Sequence, residues 1–149
     1  MIASMEGTHR DKLLSRINRK DWWHVPPSDP DAYEKRGMFL ASTFREAEFW
    51  GRPLDTPIHV NVLNPIIGDE STIQEELGVV PLKYPGDDSP RLLEWRWGLD
   101  AKLKKAALAK GYDAIVLLSS SGYAKFVGGG KLPLSIELNL LRGPARAAR

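Results

Sequence analysis

A chain of 149 residues, 42% hydrophobic and 27% charged, has the size of one globular domain and is too short for a solenoid or a multidomain enzyme. It contains no cysteine, which excludes disulfides, a thiolate nucleophile, iron–sulfur clusters and cysteine-ligated zinc. The formal net charge of +2 is unevenly spread: residues 69–100 carry eight acids against three bases, and residues 101–149 nine bases against two acids. The basic block either meets an anionic partner or is neutralised by the acidic block within the fold.

Charge enters the first twenty residues too early for a signal peptide, and no apolar run approaches the ~20 residues of a membrane span. A cytoplasmic protein with no membrane contact is expected, as one domain over residues 1–149. In chain order, Leu13, Leu14 and Ile17 among charges suggest a helix within residues 1–20. DWWHVPP, 21–27, suits a short strand stopped by proline. SDPDAYEKRG reads as a loop or single helical turn, and GMFLAST, 37–43, as a strand. Thr43 with Glu46 resembles a capping box opening a helix through Trp50.

Residues 57–67, PIHVNVLNPII, alternate as a third strand that Pro65 closes. Ser71–Leu77 is a short helix ended by Gly78. The clearest helix follows, with Ser89 as cap, Pro90 in its first turn, a stripe of Leu92, Trp95, Leu99, Leu103 and Ala106, and Gly111 just beyond it. DAIVLL, 113–118, and GYAKFV, 122–127, read as two strands joined by a serine turn, followed by a flexible GGGK hairpin loop. LPLSIELNLL, 132–141, is the last strand, and the tail 143–149 is expected to fray. Strands crowded into both halves around one long helix make the class α+β.

Glu137 draws attention because it is the one ionisable side chain between Lys131 and Arg142. Alternation places Leu134, Ile136, Leu138 and Leu140 on one face and Ser135, Glu137 and Asn139 on the other, so the carboxylate meets either solvent or a cleft. His24 lies between aromatics and prolines, and His9 and His59 show no metal-ligand spacing to it, so no metal site is expected. GGGK lacks the GxxxxGK[ST] pattern of a phosphate loop, and no GxSxG elbow supports a serine hydrolase.

The order of these features resembles the ADP-ribosyltransferase-like superfamily. They are a His after an aromatic strand, GMFLAST leading into a short aromatic-ended helix, VNVLNP, GYDAIV and a Glu in a terminal strand. The likeness is to its small phage and bacterial toxin-type members and, more distantly, to the poly(ADP-ribose) polymerase branch with its His-Tyr-Glu signature, over about Trp22 to Leu141. It implies a split pair of antiparallel sheets with NAD, as substrate, in the cleft between them. His24 matches the histidine that holds a ribose hydroxyl. Val25 stands where a glycine backbone usually holds the carboxamide. Phe39 replaces the tyrosine, Ser42 is a polar substitute nearby, and Phe49, or else Trp50, matches the second aromatic that sandwiches the nicotinamide. Glu137 matches the catalytic glutamate.

The activity so implied is transfer of ADP-ribose from NAD to an acceptor, which is a protein side chain, a nucleic-acid base or water. An alternative keeps the fold without the activity, as a module binding protein or nucleic acid through the basic C-terminal third. A third reading, a metal-independent ribonuclease, needs His24 and His59 as an acid–base pair across a phosphate.

Overall fold

The computed structural model describes residues 2–143 and 147–148. The elements are α1 (Ile2–Arg19), β1 (Trp23–His24), α2 (Ala32–Arg36), β2 (Met38–Ala41), α3 (Phe44–Glu48), β3 (His59–Val60), β4 (Pro65–Gly68), α4 (Glu70–Leu77), α5 (Leu92–Ala109), β5 (Ala114–Leu117), α6 (Ser120–Gly129), β6 (Glu137–Leu140) and β7 (Ala147–Ala148). Five strands form one sheet in the order β1-β2-β6-β5-β4, and β3 pairs with β7 in a second. The class is α+β. The larger sheet is mixed rather than antiparallel, because β4 and β5 run parallel and are linked through α4 and α5.

The two faces of this sheet are covered by different helices. One face, built from Met38, Leu40, Ala114, Val116, Leu138 and Leu140, packs against Leu13 and Ile17 of α1 and Phe126 of α6. The other carries Ile66 and Ile115, which pack with Ile73 and Leu77 of α4 and Leu99, Leu103 and Ala107 of α5. The ladder pairs Leu40 with Leu138 and Leu138 with Val116, so three strands place their apolar residues in one row.

Several expected elements differ. Residues 57–67 do not form one strand: the chain leaves the β3–β7 pair after Val60 and enters the five-stranded sheet at Pro65, which opens β4 instead of closing a strand. Side chains distant in sequence take the intervening backbone groups. Asn18 accepts from Val62 N and donates to Val62 O, both at 2.8 Å. The Asp113 carboxylate accepts from Leu63 N at 2.7 Å and Asn64 N at 2.9 Å. Proline as a first strand residue needs no donor there.

GYAKFV is helical, within α6, not a strand. The Ser119 hydroxyl caps this helix by accepting from Gly122 N at 3.0 Å, and Gly130 ends it at φ 69°, ψ 17°. The expected GGGK loop is therefore the last turn and C-cap of a helix. The final strand is shorter than the alternation implied: β6 starts at Glu137, and Leu134 is 78% exposed. Pro133 cannot donate to a ladder, and Ser42 holds Ile136 by its N–H and C=O at the strand's entrance. Of the tail expected to fray, 144–146 and 149 lie outside the described residues, while Ala147 and Ala148 pair with Val60 and His59.

Two leucines of equal parity in the 132–141 segment test this boundary. Leu138→Ala, at 0% exposure in the central strand, is expected to lower unfolding free energy by about 2–5 kcal/mol, and Leu134→Ala by less than about 0.5 kcal/mol, in chemical denaturation.

Candidate functional site

Register decides which side chains can meet. Ala41 pairs with Glu137 and Glu137 with Leu117, while Trp23 pairs with Ala41 and Gly68 with Leu117. Trp23, Ala41, Glu137, Leu117 and Gly68 therefore form one row across all five strands, on the face covered by α4 and α5. The next row on that face is Phe39, Asn139, Ile115 and Ile66. Trp23, Ala41, Glu137 and Leu117 are each only partly buried, so this row lies at the open edge of the helical cover.

Facing Glu137 is a charged cluster on the two helices. Arg96 of α5 contacts Glu70 Oε1 of α4 at 2.5 Å through its Nη1 and Asp100 Oδ1 at 3.2 Å through its Nε. Phe39, Glu70, Ile73, Arg96, Asp100 and Glu137 line a common hollow with Asn139. Its volume is about 30 Å³, room for a water or two and far below the ~300 Å³ of a pocket that engulfs a small ligand.

The electrostatics follow from burial and from Arg96 standing among three carboxylates, with Arg36 acting on Asp100 as well. Burial pushes the Asp100 carboxyl up to about 6; the Arg96 charge opposes this and nearby Glu137 adds to it. Burial likewise raises Glu137, with Arg96 pulling it down and Glu70 pushing it up. Burial disfavours the Arg96 charge, but Asp100 and Glu70 outweigh that and the net shift is upward. Asn139 is fixed by donating from Nδ2 to Arg36 O at 2.9 Å. Its Oδ1 lies so close to Gly37 that a Cβ there would stand 2.1 Å away, and Gly37 sits at φ 92°, so only glycine fits this turn.

Of the residues expected to bind NAD, Glu137 and Phe39 share the hollow. His24 does not join them. It pairs with Leu40, opposite Leu138, and so projects from the other face of the sheet from Glu137. There it is 3% exposed and both ring nitrogens are occupied: Nδ1 lies 2.8 Å from Phe39 O and Nε2 2.9 Å from Tyr33 Oη. A carbonyl can only accept, so Nδ1 carries the proton and Nε2 accepts from the Tyr33 hydroxyl. Burial holds this imidazole below its ordinary range, against the Phe39 hydrogen bond.

Val25 lies just past β1, against Gly51. The Ser42 hydroxyl is taken up by Ile136, donating to its O at 2.8 Å and accepting from its N at 2.7 Å, which anchors the residue before Glu137. Phe49 is 83% exposed and stacks edge-on with exposed Trp50 at 5.3 Å, outside the hollow. His59 is exposed and bound to Asp21 at 2.6 Å, so no phosphate can lie between it and the enclosed His24.

Sequence reading missed Trp23, Arg96, Asp100 and Glu70. The Arg96–Asp100 spacing of i, i+4 is visible in the sequence, but its meeting with Glu137 depends on the sheet. No model of a known family matches the chain, and neither does any curated protein or solved structure.

The cluster makes stability depend on pH. Asp100 holds its proton more tightly folded than unfolded, so stability from this group is present at low pH and lost as pH rises from about 4 through about 6, by about 3 kcal/mol in total. Asp100→Asn is expected to flatten that fall, gaining more over the parent at pH 7.5 than at pH 4 in urea denaturation.

Proposed function

We propose that the chain cleaves the nicotinamide–ribose bond of NAD and transfers ADP-ribose to a macromolecular acceptor, with Glu137 as the carboxylate beside the sugar. The supporting observation is the placing of Glu137 in a partly open row, next to an aromatic surface and against a guanidinium that favours its ionised form. Departure of nicotinamide leaves positive charge on the ribose, as glycoside cleavage does, and a fixed carboxylate stabilises that transition state more than the ground state. The hollow is too small for the ring. On this reading the ligand lies over the row of Trp23, Ala41 and Leu117, and the carboxylate reaches it from below.

Trp23 stands two strands from Glu137 in the same row, about 10 Å away, with Phe44 edge-on to it at 5.2 Å. A cationic pyridinium over an aromatic face gains ~0.5–2 kcal/mol. Trp23 and Phe39 are the aromatics on the Glu137 face; Phe49 is not. His24 acts at a distance, fixing β1 to β2 through the Phe39 carbonyl and so holding Phe39 in place. It is a positioning residue on this reading, not a ribose ligand.

A second reading keeps the fold as a binding module without turnover. The placing of His24 on the far face favours it, since the resemblance asks His and Glu to share one cleft.

Labelled NAD separates the two. Turnover should release nicotinamide, and Glu137→Gln should lower kcat about 10²–10³-fold with little change in KM. No release from the parent chain would support the module. Phe39→Ala and Trp23→Ala should raise KM, and Phe49→Ala should leave it unchanged. Because the ionised carboxylate is the active form, kcat/KM should rise with pH through the raised Glu137 titration. Arg96→Gln should move that limb to higher pH, since its charge is what pulls Glu137 down.

A further inference from the structure

On the side of the sheet away from Glu137, the exposed flank of α1 borders an open groove of about 700 Å³ lined by Asp11, Lys12, Ser15, Arg16, Arg19, Lys20 and Leu132. Lys12, Arg16 and Lys20 follow at i, i+4 and i+8, and Lys20 N bonds Arg16 O at 3.1 Å, continuing the helical turn. Each step advances roughly 6 Å, so the cations form a line along the helix, with Arg19 beside it. Among the described residues no ion pair engages Lys12, Arg16 or Arg19. Lys20 is partly committed to carbonyls, its Nζ reaching Ser42 O at 2.6 Å and Asp21 O at 3.2 Å. Burial lowers its pKa and the like charge of Arg16 lowers it further, with Glu46 and Asp21 opposing the shift.

We propose that this groove binds the phosphodiester backbone of a nucleic-acid strand. Four cations and one acid in a groove suit a line of anions. Leu132 is the sole apolar side chain lining it, whereas protein partners are anchored by aromatic and apolar side chains in desolvated pockets. An anionic membrane is disfavoured for a separate reason: an interfacial helix must bury its apolar face in lipid, and Leu13 and Ile17 of α1 are at 0% exposure in the core. Phosphate contacts need neither feature and carry no sequence information, so binding is expected to be sequence-tolerant. This surface is independent of any reaction at Glu137.

Fluorescence anisotropy with a labelled mixed-sequence DNA strand of roughly 20 nucleotides, and with the same sequence as a duplex, tests this over a salt series. Three to four neutralised phosphates predict a slope of log K against log salt of about −2 to −3 for the single strand and somewhat steeper for the duplex. Lys12→Gln/Arg16→Gln/Arg19→Gln should weaken binding about tenfold or more at low salt and flatten the slope, with circular dichroism unchanged. Should that triple variant not fold, Arg19→Gln, at an exposed position, should reduce the slope by about one cation's share. Glu137→Gln should bind as the parent does, and the triple variant should release nicotinamide as the parent does, so either proposal can fail alone. Equal binding by the parent and triple variant would overturn the assignment. Displacement of the strand by polyglutamate at equal charge would assign the groove to an acidic peptide instead. Binding only to phosphatidylserine vesicles would overturn it as well.

Discussion

On the central strand β6, neighbouring side chains enter two unlike environments, and the molecule depends on that alternation holding its phase. Leu138 and Leu140 point into a face from which water is excluded, with Leu40 and Val116 alongside. Full burial of each such side chain is worth about 1.5–3 kcal/mol. A slip of one residue would move Glu137 and Asn139 into that face and turn the leucines out. The position of Glu137 is therefore fixed less by its own contacts than by the cost of misplacing its neighbours. The same phase, carried through β2 to β1, sets Trp23 on the Glu137 side and His24 on the other.

The face that receives Glu137 is not an ordinary core. Arg96 is the guanidinium in contact with Glu70 and Asp100, with Glu137 beside the same hollow and the charge of Arg36 also reaching Asp100. Burial is the main reason the Asp100 carboxyl is pushed up to about 6, with Arg96 opposing the shift and the charge of Glu137 adding to it. Carboxyls held above their ordinary range at the open edge of a helical layer are the ground on which a site is proposed here.

Much of this architecture is local enough to read from the chain. The alternation in 134–140 assigned Glu137 and Asn139 to one face, DAIVLL gave β5, and Gly78 ended α4, because each rests on a period or a cap within a few residues. GYAKFV alternates as a strand does, yet the Ser119 cap and the left-handed Gly130 set its conformation as α6. The break in 57–67 had no local signal, since its causes are Asn18 and Asp113, far along the chain in opposite directions. The face taken by His24 was likewise invisible. In WWH a shift of one residue exchanges a tryptophan for the histidine, and only the pairing of β1 with β2 settles which.

Charge counted along the sequence also differs from charge on the surface. The block 101–149 holds the larger basic excess, but Lys104 donates to the carbonyls of Tyr33 and Glu34 and Lys110 to that of Glu76, so part of it closes backbone groups between elements. Arg10 of α1 likewise donates to Pro65 O, but among the described residues Lys12, Arg16 and Arg19 have no such employment, and with Lys20 they line one groove. That groove and the carboxylate cluster lie on opposite sides of the sheet, which is the arrangement electrostatics favours. A polyanion drawn to α1 is kept from Glu70, Asp100 and Glu137, whose field would repel it, and those carboxylates keep Arg96 for themselves.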